Sequence, residues 1–178
     1  MRARNPKGGR DPGARRDRAG ETFVAVFIGT FENKVDRKGR VSVPAQFRQT
    51  LASQSFPGIV AFRSYRAAAI EACGIDFMER LNDSVTSMNL FSDPQDDLAA
   101  TIFADSIQLP FDGEGRILLP PRFAEHAGIG ERAAFVGKGP VFQIWEPGAL
   151  ETYKEAARER ARTQGLTLQL RDGNGGGR

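Results

Sequence analysis

The sequence contains one twelve-residue pattern twice, and this repetition constrains the fold more than any other feature. Residues 36–47 read DRKGRVSVPAQF, and residues 112–123 read DGEGRILLPPRF. Both follow the formula D-x-x-G-R-φ-x-φ-P-x-x-F, in which φ is an aliphatic residue. Seven defined positions in the same register indicate an internal duplication. We therefore expect two copies of one supersecondary unit within the 178 residues.

Each copy begins with residues that favour a tight turn. An aspartate can accept hydrogen bonds from backbone N–H groups two or more residues on, and a glycine accepts a positive φ. An Asp and an Arg four positions apart across such a turn can also form an ion pair that holds its shape. We therefore assign turn-stabilising roles to Asp36, Gly39, Asp112 and Gly115.

Apolar periodicity and helix-start residues predict the remaining elements. Predicted strands cover residues 23–28, 31–35, 40–43, 59–63, 67–72, 106–111, 116–119, 133–137 and 141–146. Predicted helices begin at Pro44, Ile75, Pro94, Pro120 and Pro147. Asp93 is the expected cap of the third helix, which should run to about Ala104. The second helix, residues 75–88, should bury the side that carries Phe77, Leu81, Val85 and Met88.

The order strand, turn, strand, short helix, hairpin, helix occurs in both copies and indicates a mixed α+β, mainly β fold. A unit of about 50 residues has too little core to be stable alone. We therefore expect the two units to complete each other's sheet around a pseudo-two-fold axis. A shared barrel-like core with flanking helices would also cover the edge strands.

Composition indicates an ordinary globular protein and argues against several kinds of site. The apolar run at residues 23–28 is far shorter than a membrane span, and the Arg- and Gly-rich beginning is unlike a secretory signal. The single cysteine, Cys73, excludes an internal disulfide, and a single histidine, His126, argues against a structural zinc site. We expect a cytoplasmic protein without a metal or other cofactor.

The positive charge of the chain is unevenly distributed. Residues 1–22 contain seven Arg or Lys and three acidic residues, a net charge of +4, whereas the whole chain is +3. Residues 23–178 therefore sum to about −1, so any contact with nucleic acid must use local positive charge. Residues 1–22 are expected to form a disordered basic tail. The tail is either a solvated extension or an arm that binds DNA, unless translation starts near Val24 or Val26.

The middle positions of the first turn suggest a contact with DNA. Arg37, Lys38 and Arg40 outweigh Asp36 and give this turn a net charge of +2. A protruding cationic turn can enter a groove and neutralise phosphates, and a long Arg side chain can reach base edges. An ion-paired turn with a purely structural role is the alternative that the residues leave open.

The second turn is less basic. It carries Gly113 and Glu114 where the first turn has Arg37 and Lys38, so its net charge is −1. Phosphate groups would repel Glu114. We therefore expect the second copy to act mainly as scaffold, with Arg116 as a secondary DNA contact.

Other reactive residues point to structure rather than to catalysis. His126 is expected on a helix surface, and Cys73 is expected to be a small buried hydrophobic residue. No phosphate-binding glycine loop, nucleophile elbow or paired-histidine helix is found in the sequence, so we expect no enzyme activity. We interpret Asp93, Asp96 and Asp97 as acidic residues at a helix terminus. We interpret Phe142 and Trp145 as aromatic residues of the core or of a subunit contact.

Together, these motifs resemble the MraZ family of bacterial transcriptional regulators. The first repeat of that family is similar to the segments FIG at residues 27–29 and VDRKGRVSVPAQFR at residues 35–48. The second repeat is similar to DGEGRILLP at residues 112–120, AGI at 127–129, VG at 136–137 and IW at 144–145. The likeness covers roughly residues 23–160.

The resemblance implies a tandem pair of AbrB-like swapped-hairpin repeats at residues 23–74 and 105–148. The other expected segments are the basic tail 1–22, a helical connector 75–104, a C-terminal helix 149–164 and a tail 165–178. The resemblance also implies a ring-shaped homo-oligomer on the nucleoid. This oligomer would bind direct repeats in the promoter of the division and cell wall gene cluster and repress it.

The resemblance places the DNA-contacting positions at Lys38 and Arg40, with Arg37 in the same turn. A rival interpretation is an antitoxin-like AbrB-fold module whose main partner is another protein. Such a module is expected to carry a long partner-binding tail, and residues 165–178 are short and Gly-rich. Both interpretations predict a protein without an active site.

Overall fold

The computed structural model describes residues 26–88 and 92–168. The strands are β1 (Thr30–Lys34), β2 (Arg40–Ser42), β3 (Gly58–Arg63), β4 (Ile70–Cys73), β5 (Ile107–Pro110), β6 (Arg116–Leu118), β7 (Arg132–Lys138) and β8 (Val141–Trp145). The helices are α1 (Ala45–Thr50), α2 (Ile75–Thr86), α3 (Asp93–Leu98), α4 (Pro121–Ala127) and α5 (Pro147–Thr163). A π-helical segment, Ala99–Phe103, directly follows α3.

Six of the described strands form one antiparallel sheet in the order β1-β7-β8-β4-β3-β5. Strand β1 precedes the first copy of the motif but pairs with β7, which follows the second copy. Strand β5 precedes the second copy but pairs with β3, which follows the first copy. The two halves of the chain therefore exchange strands reciprocally, and β4 and β8 join them at the centre of the sheet.

Strands β2 and β6 form a separate two-stranded antiparallel ribbon. Val41 lies opposite Ile117 in its middle, and both side chains are buried. Each strand follows one of the repeated turns, so the ribbon joins the two copies of the motif directly. A single bridge between Val35 and Val41 connects the end of β1 to the ribbon.

The mixed α+β class is confirmed, with antiparallel sheets and several helices, but no closed barrel is found among the described residues. Strands β1 and β5 lie at opposite edges of the six-stranded sheet and do not pair with each other. Strands β2 and β6 pair with each other in a separate ribbon and do not extend the six-stranded sheet.

Aromatic side chains from both halves meet in the main core. Phe142 lies at its centre, with ring centroids 4.9 Å from Phe27 and 5.0 Å from Phe47. Phe47 and Phe123 occupy the same position in the two copies of the motif, and both are fully buried. Because the two copies share one core, neither half could bury its apolar side chains without the other.

Apolar groups also cover the opposite face of the sheet. A second cluster, between the sheet, α2 and the π-helical segment, contains Val60, Phe62, Cys73, Met78 and Ile102. On α5, Tyr153 packs its ring 4.7 Å from that of Trp145. Two covered faces explain why β3 is a continuous apolar run rather than an alternating one.

Several predicted helix starts are displaced by one residue. Pro44 and Pro120 lie at the cap positions rather than inside α1 and α4, whereas Pro147 is the first residue of α5 as predicted. The prediction of an Asp93 cap is wrong, since Ser92 is the cap and makes no side-chain hydrogen bond to the helix. Asp93 lies in the first turn of α3, where its charge still complements the helix dipole.

Other differences concern the ends of elements. Helix α2 ends at Thr86, and Met88 is exposed rather than buried, because it lies beyond the last turn. Strand β4 begins at Ile70 rather than at residue 67. The predicted tail 1–22, the start of the predicted strand 23–28 and residues 169–178 lie outside the described residues. Within the described part of that strand, Phe27 makes a single bridge to Gly139.

The shared aromatic core predicts a large loss of stability when Phe142 is replaced by Ala. This change should lower the free energy of unfolding by about 3–5 kcal/mol, because it removes a fully buried ring and leaves a cavity. Urea denaturation followed by circular dichroism, repeated at several protein concentrations, measures this difference.

The control is Tyr65→Ala, which removes an aromatic ring that is 61% exposed and should change stability by less than about 0.5 kcal/mol. Equal effects of the two substitutions would contradict the central position of Phe142 in the core.

Candidate nucleic-acid interface

The first turn is held by the carboxylate of Asp36. Its Oδ1 accepts hydrogen bonds from the backbone N–H groups of Lys38 (2.9 Å) and Arg40 (3.0 Å). Its Oδ2 accepts from Nε and Nη2 of Arg40, both at 2.7 Å. The backbone N–H of Gly39 donates to the Asp36 carbonyl at 2.9 Å. One side chain therefore fixes both the path of the turn and the direction of the Arg40 guanidinium.

The second turn repeats this arrangement. Asp112 Oδ1 accepts from the backbone N–H groups of Glu114 and Arg116, both at 2.9 Å, and its Oδ2 accepts from Nε of Arg116 at 2.7 Å. The difference is a second carboxylate, since Glu114 Oε2 lies 2.6 Å from Nη1 of Arg116. Arg116 is thus bound on both sides, whereas Arg40 has one carboxylate partner among the described residues.

The two turns are connected through the ribbon. The Gly39 carbonyl accepts a hydrogen bond from the backbone N–H of Leu119 (2.9 Å), and the Gly115 carbonyl accepts from Val43 (3.1 Å). Both glycines have positive φ, of 80° and 74°, a conformation that other residues rarely adopt. The position of each turn is therefore fixed by the strand that follows the other turn.

Arg37 and Lys38 are the exposed cations of the first turn. Both side chains are open to solvent, and neither forms an ion pair within residues 26–88 and 92–168. The corresponding residues of the second turn, Gly113 and Glu114, supply no positive charge. The structure thus brings together the predicted residues Arg37, Lys38 and Arg40 at one turn and places Arg116 at the other, beside Glu114.

Hydrogen bonds also lower the pKa values of the two turn aspartates, Asp36 and Asp112. Bonds from the backbone and then from the side chain of Arg40 lower the pKa of Asp36 from its usual 3.8 to about 2. The same groups of Arg116 lower the pKa of Asp112 to about 2. The side-chain hydrogen bond to Asp112 raises the pKa of Arg116, and the charges of Asp112, Glu114 and Asp36 add to this effect. Asp36 and Arg116 therefore interact electrostatically across the ribbon.

Sequence reasoning missed Arg48, which contributes to the second turn from α1. Its Nε donates to the Val43 carbonyl at 3.1 Å, and a Cβ at Gly115 would collide with its guanidinium. The equivalent position in the second copy is Ala124, so the first turn has no such neighbour. The spacing that the two motifs share gives no indication of this contact, because the contact joins a residue of the first copy to the turn of the second.

The remaining candidate residues serve the fold. Cys73 is buried, and desolvation raises the pKa of its thiol to about 12. His126 is half-buried rather than exposed, with Nε2 3.1 Å from the Ser64 carbonyl and 3.2 Å from that of Ala67. Phe142 and Trp145 are core residues.

Asp93, Asp96 and Asp97 do not belong to a metal-binding group. No cluster of three His, Cys, Asp or Glu side chains suited to a metal ion occurs in the described part of the chain. Among the same residues, no helix is long and apolar enough to cross a membrane.

The ion pairs predict the titration of the two turn carboxyl groups. We expect Asp36 and Asp112 to titrate near pH 2 in carbon-detected NMR of the carboxyl groups. Folding lowers the pKa of both carboxyl groups, so the ionised groups stabilise the fold above about pH 4. This stabilisation is lost as the pH falls towards 2 and the groups become protonated.

Replacing Arg40 by Gln should raise the pKa of Asp36 only partly, because the stronger contribution, from the backbone N–H of Arg40, is retained. Arg116→Gln is the matched change for Asp112. An unchanged pKa of Asp36 in Arg40→Gln would show that the guanidinium does not bind this carboxylate.

Comparison with known proteins agrees with these observations. The family model described as "MraZ protein, putative antitoxin-like" matches residues 26–65 and 102–172. The matched ranges contain both turns and both strands of the ribbon.

Individual relatives match over most of their length. The chain is 44% identical over 144 residues to "Transcriptional regulator MraZ" of Rickettsia rickettsii, covering 81% of this chain and 97% of the relative. It is 43% identical over 147 residues to the protein of the same name from Rickettsia bellii, covering 83% of this chain and 96% of the relative. The chain therefore belongs to the MraZ family of transcriptional regulators, which are not enzymes.

Proposed function

We propose that the protein is a sequence-specific DNA-binding regulator that contacts double-stranded DNA through the turn at residues 36–40. The observation that carries this proposal is a pair of exposed cations, Arg37 and Lys38, that form no ion pair with the described residues and lie on a turn held by Asp36. A rigid cationic turn binds phosphates with little loss of conformational entropy. The family membership of the chain supports the same conclusion.

Arg40 is suited to reach a base edge. A guanidinium has five N–H donors, and the bonds from Nε and Nη2 to Asp36 leave three of them available. Its side chain is 36% exposed, so these donors can face a ligand. We therefore assign Arg37 and Lys38 to phosphate contacts and Arg40 to a contact at the floor of the groove.

The second turn has a smaller role in this proposal. The carboxylates of Asp112 and Glu114 bind the guanidinium of Arg116 at two of its nitrogens. The Glu114 side chain is 70% exposed, so its charge would meet the phosphates before Arg116 does. Arg116 is a secondary contact, and the main role of the second turn is to position the first.

The chain organisation that we propose is a pair of AbrB-like swapped-hairpin repeats, at residues 23–74 and 105–148, that share one core without closing a barrel in the described part of the chain. The symmetric strand order and the reciprocal pairing of β1 with β7 and β5 with β3 support it. In this organisation residues 75–104 connect the repeats, α5 (Pro147–Thr163) is the final helix, and residues 1–22 and 165–178 would be tails.

Several copies of the chain are expected to act together. One turn, with its three cations, would neutralise about two or three phosphates and so would bind weakly on its own. A ring-shaped homo-oligomer that presents several turns to direct repeats gains affinity by effective concentration, potentially about 10²–10⁴-fold. By resemblance to its family, the protein would occupy the promoter of the division and cell wall gene cluster, repress it, and reside in the cytoplasm on the nucleoid.

The antitoxin-like module is the second candidate function, and the antitoxin-like character ascribed to the matching family favours it. In that case the main partner is a protein, and the cationic turn is not the principal contact. Binding to the DNA upstream of the protein's own coding sequence separates the two functions. The same titration with a chain that lacks residues 1–22 separates a solvated tail from a DNA-binding arm.

The difference between the turns predicts opposite effects of two charge changes. Lys38→Ala should weaken binding by about 10-fold for each engaged turn, because it removes a charge-assisted contact to phosphate. It should also reduce the slope of log affinity against log salt by about 0.9 per engaged turn. Glu114→Ala should leave affinity unchanged or increase it. Fluorescence anisotropy with labelled promoter DNA at several salt concentrations measures both quantities.

Arg40→Ala is expected to abolish specific binding, but it also removes the ion-pair partner of Asp36. Arg40→Lys is therefore included, since it keeps the charge and loses the fork geometry. A salt slope near zero for the wild type, or equal losses in Lys38→Ala and Glu114→Ala, would contradict the proposal.

A further inference from the structure

The outer face of the ribbon formed by β2 and β6 carries one exposed apolar residue. Val41 and Ile117 point into the core, so the residues on either side of them in each strand point outward. These outward positions are Arg40, Ser42, Arg116 and Leu118. The Leu118 side chain is 58% exposed, in a ribbon whose other outward residues are polar.

The position of Leu118, rather than its exposure, is informative, because single exposed apolar residues are common. Leu118 lies directly opposite Arg40 in the ribbon. Its Cδ1 would be 3.8 Å from a Cβ placed on Gly39, so the leucine lies against the first turn. The apolar side chain thus lies beside the most basic part of the surface.

The duplication supplies an internal comparison. Ser42 occupies the position in the first copy that Leu118 occupies in the second, and it lies opposite Arg116. The ribbon therefore presents an arginine with a leucine beside the first turn and an arginine with a serine beside the second. Leu118 therefore lies beside the turn that has the exposed cations, and Ser42 lies beside the turn whose arginine is neutralised by Glu114.

A ligand that contacted both the cations and Leu118 would combine negative charge with an apolar group at a fixed distance. The major groove of B-DNA admits a two-stranded ribbon and is bordered by phosphates. The C5 methyl group of thymine is the apolar feature that base pairs present in that groove. An arginine beside a leucine matches a guanine edge beside a thymine methyl.

We propose that Leu118 is a specificity-determining residue that contacts the C5 methyl group of a thymine next to the base contacted by Arg40. This inference rests on the proposed function of the first turn. In this arrangement the ribbon enters the major groove, and Leu118 discriminates thymine from cytosine. Ser42, at the equivalent position of the other strand, does not make this discrimination.

The test uses promoter DNA in which single thymines, at equivalent positions of each repeat, are replaced by deoxyuridine. This replacement removes only the methyl group. Wild-type protein should lose about 3- to 5-fold in affinity per engaged repeat at one thymine position, as expected for one buried methyl-sized group. Leu118→Ala should lose a similar factor on normal DNA and nothing further on the deoxyuridine DNA.

Ser42→Ala is the matched control, because it alters the equivalent outward position and should keep the full effect of deoxyuridine. Circular dichroism and light scattering establish that each variant keeps its fold and its oligomeric mass. A Leu118→Ala protein that retains the deoxyuridine penalty, or that changes its oligomeric mass, overturns the inference. So does a wild-type protein that is insensitive to every thymine replacement.

Failure of this inference is distinguishable from failure of the proposed function. If only the inference is wrong, the wild type still binds the promoter and Lys38→Ala still weakens binding and lowers the salt slope. If the proposed function is wrong, the wild type does not bind the promoter specifically, and the inference falls with it.

Discussion

The carboxylate of one aspartate in each turn is the interaction on which the candidate site depends. Asp36 and Asp112 each accept two backbone N–H groups and one guanidinium, with nearly identical distances. The glycine carbonyl of each turn also accepts a hydrogen bond from a backbone N–H just after the ribbon strand that follows the other turn. Because the bonds to the glycine carbonyls run between the two copies, the geometry of the cationic turn depends on the whole duplicated fold and not on residues 36–40 alone.

Duplication also explains how one turn can diverge while the scaffold is kept. The residues that hold each turn, Asp, Gly and Arg, are the same in both copies, whereas the two positions between Asp and Gly differ in charge. Glu114 neutralises Arg116 from within the protein, and Arg48 lies against Gly115. The second turn can therefore change its surface chemistry without loosening the ribbon, because its backbone bonds do not involve those side chains.

The sequence predicts local features of this structure better than its long-range pairings. The turns follow from the preferences of Asp and Gly, and most strands follow from apolar alternation. The open sheet with a separate ribbon could not be predicted, because period-two alternation does not say which strand lies beside which. The π-helical segment after α3 was missed because five residues are too few to distinguish it from a 3.6-residue period. Arg48 was missed because its contact joins two copies, and Leu118 because a strand pattern does not show which outward residues lie near a charged turn.

If the first turn contacts DNA as proposed, the ion pair between Asp36 and Arg40 has two opposing effects on that binding. Asp36 reduces the positive charge of the turn, so it weakens the attraction to phosphate at long range. It also fixes the guanidinium before the ligand arrives, which lowers the entropy lost on binding and directs the remaining N–H donors. Salt at physiological ionic strength largely screens the first effect beyond about 8 Å, whereas it does not alter the second. Under the proposed function, selectivity would depend on Arg40 and on Leu118 opposite it, while Arg37 and Lys38 would supply attraction that any duplex shares. If the proposal holds, one turn alone would bind weakly, and selectivity would require several turns that act together on repeated sites.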